Sequence, residues 1–264
     1  MKAILESVLL IDKSKSNIKN KTTIDLDVII EKIYQGYLHE RNPKHVQKKT
    51  FAPSALAYGH GECPRYWYLA FEGNVFEDSA TPQQIANMEN GSLSHERIQD
   101  KLTKSNIELV HELDIRSSDP PIYGKADSIV NIDGQSVILE IKTVNAEGFK
   151  RILDSGSPRK YHVLQVLIYM KIKKINIGAI LYECKNSHDM KIYPVVVTEE
   201  YKKYMDYLWG WMRDVYAAWN NKTIPKRPYR GQVKICQECP VFKICYELED
   251  GVLEIKRRKK EFEC

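Results

Sequence analysis

The sequence predicts a mixed α/β domain, and three observations support this fold class. Apolar residues recur at helical spacing before residue 105, they alternate from Ile107 to Ile115, and a long aromatic helix is predicted after residue 198. The chain has 264 residues, of which 43% are hydrophobic and 28% are charged. It is therefore long enough for one large domain with an appendage, and it has the composition of a soluble protein.

The first 105 residues predict an extension followed by helices. Residues 1–23 are rich in Lys, Ser and Asn and are expected to form a flexible N-terminal extension. The helical part, residues 24–105, begins with DLDVIIEKIYQGYLHER, in which apolar residues recur at helical spacing. A second helical stretch, APSALAYGHGECPRYWYL, is interrupted at 59–64, and a third begins at Thr81-Pro82.

The next segment, residues 106–222, predicts a mainly antiparallel strand set with one inserted helix. Three strand-like runs come first, IELVHELDI, IYGKADSIVNI and QSVILEIKT, and Asp133-Gly134 joins the second to the third. Asp-Gly between apolar runs is the strongest short-range signal for a hairpin. A helix, two further strands and the helix EEYKKYMDYLWGWMRDVYAAW follow. This order predicts a mixed central sheet flanked by helices.

Composition and charge argue against a membrane-spanning protein and leave the partner open. No apolar run approaches the length of a membrane span, and no convincing signal peptide is present. The 40 Lys and Arg residues against 35 Asp and Glu give a formal net charge of +5, which permits a polyanionic partner such as DNA without requiring one. Six cysteines without a secretion signal predict a cytoplasmic, intracellular protein whose clustered cysteines bind metal.

Two carboxylates and a lysine are predicted to share one face of the hairpin. In a two-residue Asp-Gly turn Ile132 faces Gln135, and counting back along both strands places Asp127 opposite Glu140. Glu140 and Lys142 are two residues apart and therefore lie on the same face. Like charges about 5 Å apart destabilise a strand pair unless a cation lies between them, so we expect a Mg²⁺ or Mn²⁺ site that activates water at a phosphate. The alternative is a surface strand with solvated Glu and Lys side chains.

The segment CQECPVFKIC, residues 236–245, presents three thiolates within one short loop. They are Cys236, Cys239 and Cys245. This spacing suits either tetrahedral zinc or an iron–sulfur cluster, and both need a fourth ligand. The candidates are Cys63, Cys184 and Cys264. We favour Cys63, since Cys184 lies in a predicted strand and Cys264 is the last residue.

Four segments resemble the PD-(D/E)xK nuclease core and its RecB-like branch. They are GKAD and EIK, which contain Asp127, Glu140 and Lys142, QVLIY, which contains Gln165 and Tyr169, and GSLSHE, which contains His95. The resemblance implies a restriction-endonuclease-like fold in which the named residues of the first three segments are catalytic. It also implies that His95 binds the divalent cation together with Asp127 and Glu140.

A second resemblance concerns the cysteines. SALAYGHGECPRYWYL and the later cysteine segment resemble the corresponding parts of iron–sulfur nucleases in this branch, which include CRISPR-associated RecB-like exonucleases and the AddB nuclease domain. The resemblance covers residues 54–246 and implies a 4Fe–4S cluster, with four-thiolate zinc as the alternative. The implied ligands are Cys63, Cys236, Cys239 and Cys245. Such a cluster would join the N-terminal helical region to the cluster-binding segment, residues 223–246, although this chain inserts YGHGE before Cys63.

Basic and aromatic residues near the cysteines are candidate DNA contacts. Single strands are bound by basic grooves with aromatic stacking surfaces. Arg65 lies in PRYWYL, and Lys226 and Arg230 lie in KRPYRGQVK, so each is a candidate phosphate contact. The alternative is that these segments belong to the core. The basic C-terminal tail, residues 247–264, contains KRRKK, which is expected to be solvated.

The combined resemblance implies a metal-dependent DNA exonuclease that hydrolyses phosphodiester bonds on single-stranded or frayed ends. The nuclease domain would span residues 24–246 and act in recombination, repair or CRISPR spacer processing, in a phage or archaeal setting, with recombination or CRISPR integration proteins as candidate partners. The alternatives are a non-catalytic DNA-binding or adaptor subunit and a flap or branch endonuclease. The intact set of Asp127, Glu140 and Lys142 favours catalysis over the first. No motif fixes polarity, strand preference or oligomeric state.

Overall fold

A five-stranded mixed sheet lies at the centre of the fold. The computed structural model describes residues 26–39, 47–77, 80–105, 107 and 109–259. The strands are β1 (Leu109–Ser118), β2 (Pro121–Ile132), β3 (Gln135–Val144), β4 (Ile177–Cys184) and β5 (Met190–Val196). They follow chain order across the sheet, and β3 and β4 run parallel while the other neighbours are antiparallel. The predicted mixed α/β fold is confirmed.

Helices flank this sheet. They are α1 (Asp27–His39), α2 (Pro53–Ala57), α3 (Pro64–Glu72), α4 (Pro82–Lys104), α5 (Ala146–Ser155), α6 (Lys160–Lys173), α7 (Glu199–Asn220), α8 (Lys234–Gln237) and α9 (Phe242–Glu247). A 3₁₀ turn, Gly59–Glu62, precedes α3. In the ranges that the structure describes, no helix has the length and apolar character that crossing a membrane requires.

The hairpin of β2 and β3 has the predicted turn and register. Asp133 and Gly134 adopt φ angles of 51° and 80°, the pair of left-handed conformations that a two-residue hairpin turn needs. Ile132 pairs with Gln135, as the Asp-Gly signal predicts. This register fixes which side chains of the two strands face each other.

Two hydrophobic cores fix the helices to the two faces of the sheet. In the larger core, α6 lies between the sheet on one side and α2 and α7 on the other, and every residue from His162 to Met170 is buried. The smaller core lies beneath α4 and consists of Ile98, Val130, Leu139, Ile141 and Ala179. The sheet is therefore covered on both faces, and α4 and α6 approach the same two strands, β1 and β3, from opposite sides.

Thr81 caps the N-terminus of α4. Its hydroxyl accepts a hydrogen bond from the Gln84 backbone, while the Gln84 side chain accepts one from the Thr81 backbone. This reciprocal cap confirms the predicted start of the helix at Pro82. The preceding α1 contacts α4, but within the described part of the chain it buries none of its own side chains.

Arg65 ties the start of α3 to the C-terminal part of the chain. Its side chain is fully buried. The guanidinium donates hydrogen bonds to the carbonyl oxygens of Pro225, Cys245 and Glu249, at 2.9, 3.3 and 2.6 Å. Asp250 adds an ion pair at 3.6 Å. One buried cation therefore holds three carbonyls that lie 160 to 184 positions away along the chain.

The basic tail packs on α7 as far as Lys259. The Trp211 indole donates to the Lys256 carbonyl at 2.9 Å, and the Tyr204 hydroxyl donates to the Lys259 carbonyl at 3.0 Å. Arg258 is buried and donates to the Tyr204 hydroxyl at 2.5 Å. The expectation of a solvated tail is wrong for Arg258, whereas the side chains of Lys256 and Lys259 are exposed as predicted. The predicted extension, residues 1–23, and the end of the tail with Cys264 lie outside the described residues.

We expect Arg65→Met to lower the free energy of unfolding by about 3 kcal/mol, because three buried carbonyls lose a charged donor. Urea denaturation measures the change. Arg151→Met is the matched control: Arg151 forms an exposed ion pair with Glu147 at 2.7 Å, and its loss should cost less than about 0.5 kcal/mol. Equal losses in the two variants would contradict the role of Arg65.

Candidate functional site

Asp127 lies where β2 and β3 separate. Their ladder runs from the turn to the pair Ser128 and Leu139 and then ends. One step further, the Asp127 carboxylate oxygen Oδ2 accepts a hydrogen bond from the Ile141 backbone at 2.7 Å. The side chain of Asp127 thus replaces the strand partner that the β3 backbone lacks at this point. Asp127 also faces the end of β3 that carries Glu140, as its predicted position opposite Glu140 requires.

Glu140 is a buried carboxylate whose charge Lys142 compensates. Its exposed fraction is 1%. The Lys142 ammonium lies 2.5 Å from Glu140 Oε1 and forms an ion pair with it. The other oxygen, Oε2, has no hydrogen-bond donor among the residues that the structure describes. A buried carboxylate in this state is costly unless a cation compensates its charge.

The charges around Glu140 shift several pKa values. Burial raises the pKa of Glu140 to about 7, and Asp127 adds to this effect while Lys142 opposes it. Burial would lower the pKa of Lys142, but Glu140 and Asp127 outweigh it and raise the pKa above its usual value. Lys142 is therefore a cation, and Glu140 is largely protonated below neutral pH when no metal is bound.

His95 approaches the two carboxylates from α4. Its Nδ1 lies 3.4 Å from Asp127 Oδ1. Burial would lower the pKa of His95, but the hydrogen bond and the charge of Asp127 outweigh it and raise that pKa. Gln99, one turn further along α4, donates from Nε2 to the Asp127 backbone carbonyl at 2.6 Å. This second contact fixes α4 against β2 and keeps His95 beside Asp127.

The acidic side chains fit a divalent cation that takes oxygen ligands. Glu140 Oε2 lacks a hydrogen-bond donor among the described residues, and Asp127 and His95 are adjacent. In the described ranges, however, no three His, Cys, Asp or Glu side chains are already arranged to hold a metal ion. Binding a cation therefore requires side-chain movement around Glu140, whose charge Lys142 now compensates.

Gln165 and Tyr169 lie on one face of α6, as their spacing of four residues predicts. Both are buried, and Gln165 Nε2 donates to the Tyr169 hydroxyl at 3.2 Å. Gly124 on β2 permits this placement: a Cβ at residue 124 would lie 3.0 Å from Pro53 Cδ and 3.1 Å from the Tyr169 hydroxyl. Burial raises the pKa of Tyr169, so its hydroxyl stays neutral.

Four cysteines line one cavity, which also touches the 3₁₀ turn, α8 and α9. They are Cys63, Cys236, Cys239 and Cys245. His60 and Tyr66 are among its other lining residues. Burial raises the pKa of the Cys63 thiol and raises that of Cys239 to about 12, so without a metal both are neutral. Cys184 is buried in β4 and does not line this cavity.

The three predicted DNA contacts have different environments. Arg65 is fully buried and bonded to carbonyl groups, so it has no surface with which to bind a phosphate, and that expectation is corrected. Lys226 and Arg230 are exposed. Lys226 borders a groove between α7 and the tail, and this groove contains none of the nuclease-motif residues.

Sequence reasoning missed a cluster of three residues beside Lys142. Tyr58, at the end of α2, packs against Tyr161 at the start of α6, and Arg159 bonds to Tyr161. The Arg159 backbone donates to the Tyr182 hydroxyl at 3.0 Å, and Tyr182 is the strand partner of Lys142, which places the cluster near the end of β3 that carries Lys142. The only sequence signal was the position of Tyr58 at the first residue of the YGHGE insertion.

Comparisons with known proteins identify the superfamily and similar folds. Residues 99–246 match the PD-(D/E)XK nuclease superfamily. The alkaline exonuclease LHK-Exo from Laribacter hongkongensis has a similar fold, with a TM-score of 0.51 and 9% identity over 73% of this chain and 95% of that one. The structure of LHK-Exo in complex with dAMP has a TM-score of 0.51 and 12% identity, and the match covers 73% of this chain and 93% of that one. The crystal structure of SSO0001 has a TM-score of 0.46 and 19% identity, and the match covers 82% of this chain and 96% of that one. No curated protein matches the chain significantly.

We expect the metal-free protein to lose stability as pH rises. Glu140 has its pKa raised from 4.5 to about 7, so between these values the folded protein holds a proton that the unfolded chain has released. The stabilising contribution is complete below pH 4.5 and is lost as pH rises through about 7. Relative to Glu140→Gln, the free energy of unfolding of the wild type should fall by about 2–3 kcal/mol between pH 4.5 and 8.

Urea denaturation in EDTA across this pH range measures the difference. Glu140→Gln keeps the shape of the side chain and removes the titration, so the other ionisable groups contribute similarly to both proteins. Parallel pH profiles for wild type and variant would contradict the assignment of a raised pKa to Glu140.

Proposed function

This chain belongs to the PD-(D/E)XK nuclease superfamily, and on that premise we propose that it is a divalent-metal-dependent deoxyribonuclease, an exonuclease on single-stranded or frayed ends. The observation that carries the proposal is the state of Glu140. A carboxylate that is 1% exposed, with one oxygen paired to Lys142 and the other without a hydrogen-bond donor among the described residues, is poorly suited to a purely structural role. It is suited to binding a cation.

The ligands that we propose for Mg²⁺ or Mn²⁺ are His95, Asp127 and Glu140. When bound, the cation would acidify a water molecule and neutralise charge on the phosphate. Asp127 has a second duty, since its Oδ2 is already bonded to the Ile141 backbone at 2.7 Å. That bond fixes the carboxylate and so orients its other oxygen, Oδ1, which lies 3.4 Å from His95.

Lys142 is proposed to neutralise the charge that develops on the phosphate and to position the attacking water. Its raised pKa keeps it protonated at neutral pH, so stabilising negative charge suits it better than removing a proton. If Glu140 held a cation, Lys142, which now lies 2.5 Å from Glu140 Oε1, would be available to bind the substrate phosphate. Gln165 and Tyr169 would support Lys142 or the phosphate from α6.

The choice of an exonuclease on DNA is supported by fold similarity. The enzyme from Laribacter hongkongensis is an alkaline exonuclease, and it has also been solved with dAMP. A nuclease with this fold would serve recombination, repair or CRISPR spacer processing. These processes are part of the proposal.

We also propose a metal site at the four cysteines. The proposed ligands of a 4Fe–4S cluster are Cys63 and the three cysteines of residues 236–245, which line one cavity. Burial raises the pKa of the Cys63 and Cys239 thiols, and a bound metal would compensate the thiolates that burial disfavours. Zinc is the alternative for the same four thiolates. The site would join α3 to the C-terminal segment, as Arg65 does.

We expect Glu140→Ala and Lys142→Ala to lose about 10²-fold or more of the activity on end-labelled single-stranded and double-stranded DNA with Mn²⁺. The matched controls are Glu199→Ala and Lys202→Ala, which break an exposed ion pair of 2.6 Å on α7 and should leave activity unchanged. Equal activity in wild type and both site variants would reject the catalytic assignment.

Anaerobic purification, metal analysis and a visible absorption spectrum test the cysteine site. We expect a coloured protein with about four iron atoms per chain. Cys63→Ala should lose the iron, whereas Cys184→Ala should keep it because Cys184 does not line the cavity. A colourless protein with one zinc would favour the alternative, and a metal-free protein would reject both.

A further inference from the structure

Tyr58 is an exposed aromatic residue on a fixed backbone. It is 55% exposed and lies between α2 and the 3₁₀ turn, with φ of −95° and ψ of 164°. Its amide donates to the Ala55 carbonyl at 3.2 Å, and its own carbonyl accepts from Gly61 at 2.8 Å. The ring is therefore held in place without being buried. This is unusual for a residue whose role is core packing.

Tyr58, Tyr161 and Arg159 form one surface, which we call the aromatic platform. The centroids of the two tyrosine rings are 5.2 Å apart, and the ring planes meet at 44°. Arg159 Nη1 donates to the Tyr161 hydroxyl at 2.7 Å, and its guanidinium carbon lies 5.9 Å from the centre of the Tyr161 ring. Two aromatic faces and one cation are thus adjacent, which are the components of a single-strand binding surface.

The platform is anchored to the sheet through Tyr182. The Tyr182 hydroxyl accepts from the Arg159 backbone at 3.0 Å and forms a hydrogen bond of 2.7 Å with His162 Nδ1. Burial, with the charges of Lys142 and Arg159, lowers the pKa of His162 to about 2 and keeps it neutral. In the parallel register Tyr182 is the partner of Lys142. The platform and the site lysine are therefore positioned by neighbouring strands.

The platform lies close to the carboxylate site. Arg159 is bonded through its backbone to the hydroxyl of Tyr182, and Tyr182 is the partner of Lys142 on the neighbouring strand. A phosphate bound at Lys142 would therefore have an aromatic surface and the Arg159 guanidinium beside it. An adjoining nucleotide of a DNA strand carries an aromatic base and an anionic phosphate, so its chemistry matches both parts of the platform.

We infer that the aromatic platform binds an unpaired nucleotide next to the scissile phosphate, with the base stacked on Tyr58 or Tyr161 and a phosphate on Arg159. This inference rests on the proposed nuclease function and assigns its substrate class. A base inside a duplex has both faces covered by its neighbours, so it can stack on a tyrosine only after unstacking. The platform therefore selects single-stranded or frayed ends over paired ones.

Binding of a fluorescein-labelled 12-nucleotide single strand, measured by anisotropy in EDTA, tests the platform without catalysis. Tyr58→Ala should weaken binding about ten-fold, because stacking on one aromatic residue contributes on that scale. Tyr58→Phe keeps the ring and should bind as the wild type does. Tyr34→Ala, which removes a tyrosine that is 40% exposed on α1, is the control and should also bind normally. Circular dichroism confirms that each variant is folded.

An abasic scan identifies the base that stacks. In this scan, each oligonucleotide carries one abasic residue, at a different position. At one position the abasic residue should weaken binding to the wild type about ten-fold. Tyr58→Ala should not weaken the binding of that oligonucleotide further. Tyr58→Ala should also lower the ratio of activity on single-stranded to double-stranded DNA. Arg159→Gln should weaken binding of every oligonucleotide and reduce its dependence on salt.

The outcomes separate this inference from the proposed function. If wild type degrades DNA but Tyr58→Ala keeps the same affinity and strand preference, the platform is rejected and the nuclease stands. If wild type degrades no DNA, the nuclease proposal fails, and the binding measurements still decide whether the platform holds an unpaired base. If Tyr58→Ala weakened the binding of every abasic oligonucleotide by the same factor, base stacking would be excluded.

Discussion

The burial of the Glu140 carboxylate is the constraint on which the rest of the site depends. A carboxylate that is 1% exposed within a sheet is unfavourable unless neighbouring groups compensate it. Lys142 supplies the compensating charge, and Asp127, fixed by the β3 backbone, supplies a second negative charge that makes a further cation favourable. The sheet, with α4 and α6 on its two faces, excludes the water that would otherwise solvate this group. The fold therefore keeps an excess of negative charge at Glu140 and Asp127.

Two kinds of contact join the start of α3 to the C-terminal part of the described chain. Arg65 binds three carbonyls of the C-terminal segment, and four cysteines line a cavity between the same two regions. The arginine contact involves only protein groups and needs no metal. The fold can therefore bring the cysteines near one another before a metal binds, which reduces the ordering that metal binding must accomplish.

Local signals in the sequence predicted the helices and strands. The contacts that Arg65 and Tyr58 make with residues distant in sequence could not be predicted in this way. The Asp-Gly turn fixed the pairing of Ile132 with Gln135, because its geometry is set by two adjacent residues. Arg65 was expected at a DNA surface because it stands among aromatics, but the carbonyls it binds begin 160 positions later. Tyr58 escaped notice for the same reason: its partner Tyr161 belongs to another helix. Composition identifies basic and aromatic residues without showing which are buried.

The hydrogen bond between Asp127 and the Ile141 backbone has a consequence for how loss-of-function alleles at this position are interpreted. Removing the carboxylate deletes a candidate metal ligand and also leaves a buried amide of β3 without its acceptor. An inactive allele at 127 thus combines a chemical defect with a structural one, and genetics alone would not separate them. Asparagine, whose side-chain oxygen can still accept from that amide, removes the charge while preserving the strand. Comparing asparagine with a replacement that lacks the side-chain oxygen therefore distinguishes metal binding by Asp127 from its hydrogen bond to β3.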